Sequence, residues 1–358
     1  MKTADVIVVG GGLVGLAVAA GAASRGASVH LFGESRSGEA SAAGAGMLAP
    51  GAEGDEMYDD AVMRFAVAGR DLFPSYLERL REHTGIEVPL DRGGILEVEF
   101  DGEPRAIPRG SEWLDARALH ELEPTIGNAA GAVLHPTDGS VDNVILLQAL
   151  RRLVRGLPRV TIAAERARTV DASAARPRVS NGAGGAVEGA HVVLAGGAWT
   201  GQLAGLPRPV PVRPVRGQML SLSAATLRHV TYGAGGYLVP RAGGRTLVGA
   251  TMEEVGFDSA TTPEALASLT AVASRLSPSL ASAPLLSHWA GLRPLSPDGL
   301  PILGPDPDVP ALVYACGHGR NGILLAPITG ESIGALVAGE APDADLSPFS
   351  IARFAESM

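Results

Sequence analysis

The chain has 358 residues, 46% of them hydrophobic and 19% charged, which suits roughly two globular domains at about 150 residues each and excludes a fibre or a disulfide-stapled mini-protein. One cysteine cannot form an intrachain disulfide, so a reducing compartment, the cytoplasm, is the expected location. The net charge of −9 offers nucleic acid no basic footprint, and Lys2 is the only lysine, which argues against a buried Schiff-base lysine and the pyridoxal-phosphate class.

The apolar run over residues 6–23 has the hydropathy of a signal peptide or a membrane span. Asp5 precedes it, glycines interrupt it, and it divides into a β-branched block (Val6, Ile7, Val8, Val9) and a helical block after Gly15, so the pattern predicts a strand followed by a helix and no membrane span. The hinge between them, Gly10-Gly11-Gly12-Leu13-Val14-Gly15, fits G-x-G-x-x-G. In that motif one glycine makes a tight turn, one lets backbone approach a pyrophosphate, and one packs helix on strand, with phosphates at the helix N-terminus beside Leu13 and Val14. Residues 28–32 are a second predicted strand, and Glu34 stands where an acid would accept from ribose hydroxyls. This unit predicts a bound dinucleotide and leaves FAD and NAD undistinguished.

Residues 35–50 form a run of small side chains, including Ser41, Ala45, Gly46 and Met47, which would leave backbone amides bare against a flat ring system; a flexible loop is the plainer alternative. Helices are predicted over 60–81, 115–122, 142–155 and 263–276. Strands are predicted over 88–100, 212–223, 236–240, 246–250 and 285–290, mostly without helical crossovers, which points to an antiparallel sheet in a second domain. Residues 191–195 return to the first sheet, and 172–190 make an exposed hairpin or loop. Near the C-terminus a strand over 311–315 leads into Cys316-Gly317-His318-Gly319-Arg320-Asn321-Gly322 and a helix over 323–338, a second helix N-terminus suited to negative charge. The expected fold is α/β: a discontinuous Rossmann-like nucleotide domain (1–84, 142–208, 290–358) and a second α+β domain on an antiparallel sheet (85–141, 209–289).

The segments VIVVGGGLVGLA, EASAAGAGMLAP, PVRPVRGQML, GGYLVPR, TLVGATMEEVGFD, HWAGLRPLSPDGLPILG and GHGRNGILLAPITG follow one another between Val6 and about Leu336. With them the chain resembles the D-amino-acid-oxidase-like flavoproteins and is most similar to the glycine oxidases of thiamine biosynthesis. The resemblance implies an enzyme with non-covalent FAD. Glycine or another small amino acid would lose a hydride from Cα to flavin N5, giving the imine or glyoxylate, ammonia and hydrogen peroxide, for thiazole synthesis. An oxidase or dehydrogenase of larger D-amino or N-alkyl amino acids is the alternative. A tRNA-modifying flavin domain shares the fold and is disfavoured by the charge. The partners implied are a small amino acid and oxygen, with a homo-oligomer left open and no metal.

An arginine fork matches a carboxylate bidentately, and by resemblance that arginine is Arg293, supported by the Tyr237 hydroxyl. Arg320 matches a second arginine at substrate and flavin, and Met252 a methionine that lines the pocket. Besides Gly10, Gly12, Leu13, Val14, Gly15, Glu34 and the small-residue run, the flavin contacts would come from Ala167, His318, Gly319, Arg320, Asn321, Gly322, Ile323 and Leu324. Cys316 is expected as a small buried hydrophobe, not a covalent anchor. Three departures from the family pattern stand out: Gly33 precedes Glu34, Gly319 replaces a residue often aromatic, and Gly233-Ala234-Gly235-Gly236 lacks larger side chains. The last two would enlarge the active site.

Overall fold

The β-branched block at the N-terminus becomes strand β1 (Lys2–Val9), the glycine hinge turns the chain into helix α1 (Leu13–Ser24), and β2 (Val29–Phe32) returns parallel to β1 with Val6 opposite Val29. In the computed structural model, residues 2–54, 60–102, 106–173, 176–225 and 227–355 are described. Helix α1 is buried on most of its surface because the helix Gly322–Val337 lies directly on it. A Cβ on Gly330 would stand 2.7 Å from the Ala17 carbonyl carbon, so only glycine allows this approach.

Five parallel strands form the centre of the first sheet, in the order Val160–Ala163, β2, β1, Ala186–Leu194, Leu312–Cys316. The strand Ala186–Leu194 is longer than expected. Its first residues pair antiparallel with Arg178–Ser180, which pairs in turn with Thr169–Asp171, so the expected hairpin is an edge ladder of this sheet; Ala174 and Ala175 lie outside the described residues. The helix Asp60–Thr84 packs an apolar stripe of Val62, Phe65, Phe73, Leu77 and Leu80 onto the same core.

The second sheet has eight strands in the order Leu285–Leu295, Arg213–Ser223, Arg245–Gly249, Gly236–Arg241, Val230–Gly233, Ile95–Glu99, Gly131–His135, Glu112–Asp115. All neighbours are antiparallel except Val230–Gly233 with Ile95–Glu99, which run parallel. The helix Pro263–Leu276 covers it, burying Leu269, Ala273 and Leu276 against Leu220, Leu238 and Val248.

Two helix starts differ from the expected ones by a single residue because the first polar residue of each is a cap. Asp115 accepts from the Ala118 amide and Asp142 from the Val144 and Ile145 amides, just outside the helices Ala116–Leu122 and Asn143–Gly156. The single strand expected over 88–100 is broken at Gly94, whose φ of +94° ends one strand and begins another. Its first piece, Leu90–Asp91, joins Met47–Leu48 and Gly139–Val141 in a three-stranded sheet between the two larger ones. The domain boundary expected at 289/290 is also displaced, since Leu285–Leu295 pairs along its length with Arg213–Ser223 and the chain re-enters the first sheet only at Ile302–Pro305. Among the described residues no helix is long and apolar enough to cross a membrane.

Candidate active site

A cavity of about 1680 Å³, its open mouth included, extends from the C-terminal ends of β1 and β2 to one face of the second sheet. Gly10, Gly12, Leu13 and Val14 line one end. Gly10 has φ +125°, and a Cβ there would sit 2.1 Å from the Ala195 carbonyl oxygen. Gly15 does not line the cavity: its Cα faces the Gly10 carbonyl so closely that a Cβ would stand 1.9 Å from that oxygen. The Leu13 amide donates to Ser41 Oγ at 3.0 Å, and Asn143 Nδ2 donates to the Ser41 carbonyl at 3.0 Å. No acid occupies the first turn of α1, leaving its positive end to an anion.

Glu34 and Ala167 line the same end, as does Arg36, whose Nε donates to Glu34 Oε2 at 2.8 Å while its guanidinium stands 5.1 Å from the Trp199 ring centre. The small-residue run is pinned, not loose. Ala40–Ala43 is one helical turn, the Trp289 indole donates to the Ala43 carbonyl at 3.0 Å, and Arg241 donates to the Ala45 and Val141 carbonyls. Gly46, at φ +76°, leaves no room for a Cβ beside the Val141 carbonyl. Ser41, Ala45, Gly46 and Met47 all reach the cavity.

The second glycine turn brings a second helix N-terminus to the same space. His318, Gly319, Arg320, Asn321, Gly322 and Ile323 line it, with Gly317 and Gly319 at φ +72° and +53°. His318 is buried, its Nε2 lies 3.1 Å from Thr329 Oγ1, and burial pushes its pKa down to about 4, so the imidazole is neutral. Leu324 was expected here and is instead 1% exposed in the first core, because the helix turns its side chain toward the sheet.

At the other end, alternation along two paired strands sets the surface. Trp289, Gly291 and Arg293 stand opposite Met219, Gly217 and Val215, so their side chains share a face. Gly217 makes room for the arginine: a Cβ there would meet Arg293 Nη1 at 2.1 Å. Arg293 Nη1 donates to the Thr251 carbonyl at 2.9 Å, and among the described residues no carboxylate lies within ion-pair distance of it. Thr251 is held by the Gln218 amide, which donates to its Oγ1 at 2.9 Å, and its hydroxyl donates to Glu253, itself bound by Arg216 Nε at 3.0 Å. The Tyr237 hydroxyl faces inward, 3.8 Å from Met219 Sδ, and burial pushes its pKa up to about 12, so it remains a donor.

Arg320 is differently partnered. Its Nη2 lies 3.1 Å from Glu53 Oε1 and donates to the Tyr232 hydroxyl at 3.3 Å. Glu53 lies on the short helix Pro50–Gly54, whose Gly51 and Ala52 amides both donate to Asp138 Oδ2 at 2.9 Å. Burial raises the Glu53 pKa against the opposing pull of Arg320 and Arg293.

Two further expectations fail here. Met252 is 58% exposed and does not line the cavity; the chain turns it outward while the preceding Thr251 carbonyl turns in, and Met219, with Met47, lines the pocket instead. The stretch 233–236 does not widen the site either. Gly233 pairs with Gly236 across a hairpin whose turn residues Ala234 and Gly235 have φ +52° and +79°, so the small residues answer to turn geometry. Glu53 and Met219 were missed. For Met219, the period-two pattern from Gly217 was the available signal; for Glu53, a lone acid just past a small-residue run carries no periodicity.

These residues fit an FAD. The N-terminus of α1 and the bare glycine backbone at Gly10 and Gly12 suit a pyrophosphate, the second helix N-terminus suits the part of the flavin ring that gathers negative charge, Glu34 suits a ribose, and the cavity continues past Met47. Residues 5–336 match the family described as FAD dependent oxidoreductase (DAO). The glycine oxidase of Pseudomonas putida is 34% identical, over 97% of this chain and 98% of that protein. The crystal structure of glycine oxidase from Geobacillus kaustophilus superposes with a TM-score of 0.90 at 31% identity, covering 99% of each chain. The bifunctional protein ThiO/ThiG of Trichormus variabilis is 34% identical over 98% of this chain, which spans about half (55%) of that relative's length.

Proposed function

Because the chain belongs to the FAD-dependent oxidoreductase family, we propose that it is an amino-acid oxidase whose substrate is glycine, and that the glyoxylate imine it releases serves thiamine thiazole synthesis. The observation that carries the substrate class is Arg293: a guanidinium in the cavity that, among the described residues, meets only a neutral carbonyl, beside an inward hydroxyl from Tyr237. With one of its five N–H groups on that carbonyl, such a fork keeps enough donors free to take a carboxylate bidentately.

In this reading Arg293 takes the glycine carboxylate bidentately and the Tyr237 hydroxyl donates to the same group. With the carboxylate fixed, Cα is held in one orientation, and that positioning is the main contribution the side chains make. FAD, when bound, supplies the acceptor for the hydride that leaves Cα and passes the electron pair to oxygen as hydrogen peroxide. The amine must be neutral to release its electrons, so its proton leaves before the hydride does. The imine then takes up water and separates into glyoxylate and ammonia. We read the cofactor as non-covalent: the sole cysteine, Cys316, is buried, and burial pushes its thiol up to about 12, which leaves no thiolate to attach a ring.

Mixing the yellow holoprotein anaerobically with glycine, sarcosine, D-alanine and D-proline tests this. Bleaching of the flavin absorbance fastest with glycine is expected. A spectrum left unchanged by all four would overturn it.

A further inference from the structure

Two arginines line the substrate end of the cavity, and they differ in what they already hold. Arg293 meets a neutral carbonyl at 2.9 Å, whereas Arg320 meets the Glu53 carboxylate at 3.1 Å. We propose that Glu53 masks Arg320, so that the cavity seats one carboxylate and rejects ligands carrying two. The inference rests on the reading of Arg293 as the first carboxylate seat and adds the residue that sets the charge class of the substrate.

Glu53 is unlike a surface partner that could swing aside. Its side chain is 8% exposed, and the short helix beneath it is tied down by the two amide bonds to Asp138, which Arg70 holds in turn at 3.3 Å. Arg320 is further tied to the Tyr232 hydroxyl, whose ring stacks on Tyr237 at 6.2 Å. A second anionic group entering beside Arg320 would have to displace this carboxylate or lie against its charge. Where water is excluded, like charges at close range are costly, and specificity is then achieved by a repulsive element set against the wrong ligand. Removing that charge while keeping the shape should open a second anion seat at Arg320.

The test is binding, read from the visible spectrum of the oxidised holoprotein, with acetate and malonate as monoanionic and dianionic probes. Wild type should bind malonate no more tightly than acetate. Glu53→Gln should raise the preference for malonate over acetate at least tenfold, with Glu53→Ala moving it in the same direction. The double variant Glu53→Gln, Arg320→Gln should lose that gain. Wild type preferring malonate tenfold, or a preference unchanged in a flavin-loaded Glu53 variant that still binds acetate, overturns the masking alone. Failure of acetate to perturb the wild-type spectrum at all overturns the Arg293 seat and the masking with it.

Discussion

At the dinucleotide end of the cavity the chain presents backbone, and at the carboxylate end it presents side chains drawn from segments far apart in sequence. The first end is made by two local units, the Gly10–Gly15 hinge and the turn at 317–322, each a strand, a glycine turn and a helix start. The second needs Met219, Tyr237 and Arg293 from the second sheet to converge with Glu53 from the helix Pro50–Gly54 and Arg320 from the turn at 317–322. Backbone recognition is fixed by where side chains are absent, so a single added methyl group destroys it. Side-chain recognition is distributed, so its members can be removed one at a time with graded losses.

The sharpest attempt to break this contrast is Gly15→Ala. The new Cβ would stand 1.9 Å from the Gly10 carbonyl oxygen, backbone against backbone, so the cost should exceed the about 1–3 kcal/mol of ordinary overpacking. The expected outcome is protein isolated without yellow colour, while Gly156→Ala, whose Cβ meets nothing within 4 Å, keeps its flavin. The ratio of flavin to protein absorbance checks both.

His318 belongs to the backbone-rich end and makes that end pH-sensitive. Its pKa is lowered by burial from 6.5 to about 4, so as the pH falls the unfolded chain takes up this proton first. The stabilisation is fully present above about pH 6.5 and is lost as pH falls through about 4. At 1.36 kcal/mol per pKa unit the loss is on the order of 3 kcal/mol. Heat-unfolding midpoints measured from pH 7 to pH 4 should fall for wild type and fall less for His318→Asn.

Tyr237→Phe probes the graded end. One neutral hydrogen bond to a carboxylate that Arg293 still holds is worth about 0.5–1.5 kcal/mol, so KM for glycine should rise by roughly two- to tenfold with the flavin retained. Met252→Ala should do least. An exposed side chain away from the cavity is expected to change stability by no more than about 0.5 kcal/mol, against about 2–5 kcal/mol for the buried Met219→Ala. Thermal midpoints of the two variants decide which methionine belongs to the site.

The contrast also explains what could be foreseen from residues alone. The hinge at Gly10, the strand and helix that flank it, and the turn at His318 to Gly322 follow from local patterns, because a β-branched run, a glycine turn and a helix start are all written within about twenty residues. The helix Pro263–Leu276 was legible to the residue, being opened by proline and capped by Thr262. Met252 was misplaced because an irregular segment carries no alternation, so which of Thr251 and Met252 turns inward is decided by the Gln218 and Glu253 contacts. Leu324 was misplaced by the pitch of a helix whose surface is apolar nearly all round. Glu53 could not be foreseen at all, since its role arises from an arginine 267 positions later in the chain.

The central claim is that the open guanidinium of Arg293 seats the substrate carboxylate, and the preference for glycine over methylamine in anaerobic flavin bleaching measures it most directly. Removing one partner of a buried charge pair costs about 2–5 kcal/mol, at least roughly thirtyfold at 1.4 kcal/mol per tenfold. Arg293→Ala, still yellow and folded, should therefore need at least about thirtyfold more glycine for half-bleaching, while its response to methylamine, which has no carboxylate, stays as in wild type. An Arg293→Ala protein bleached by glycine at the wild-type concentration would contradict the claim.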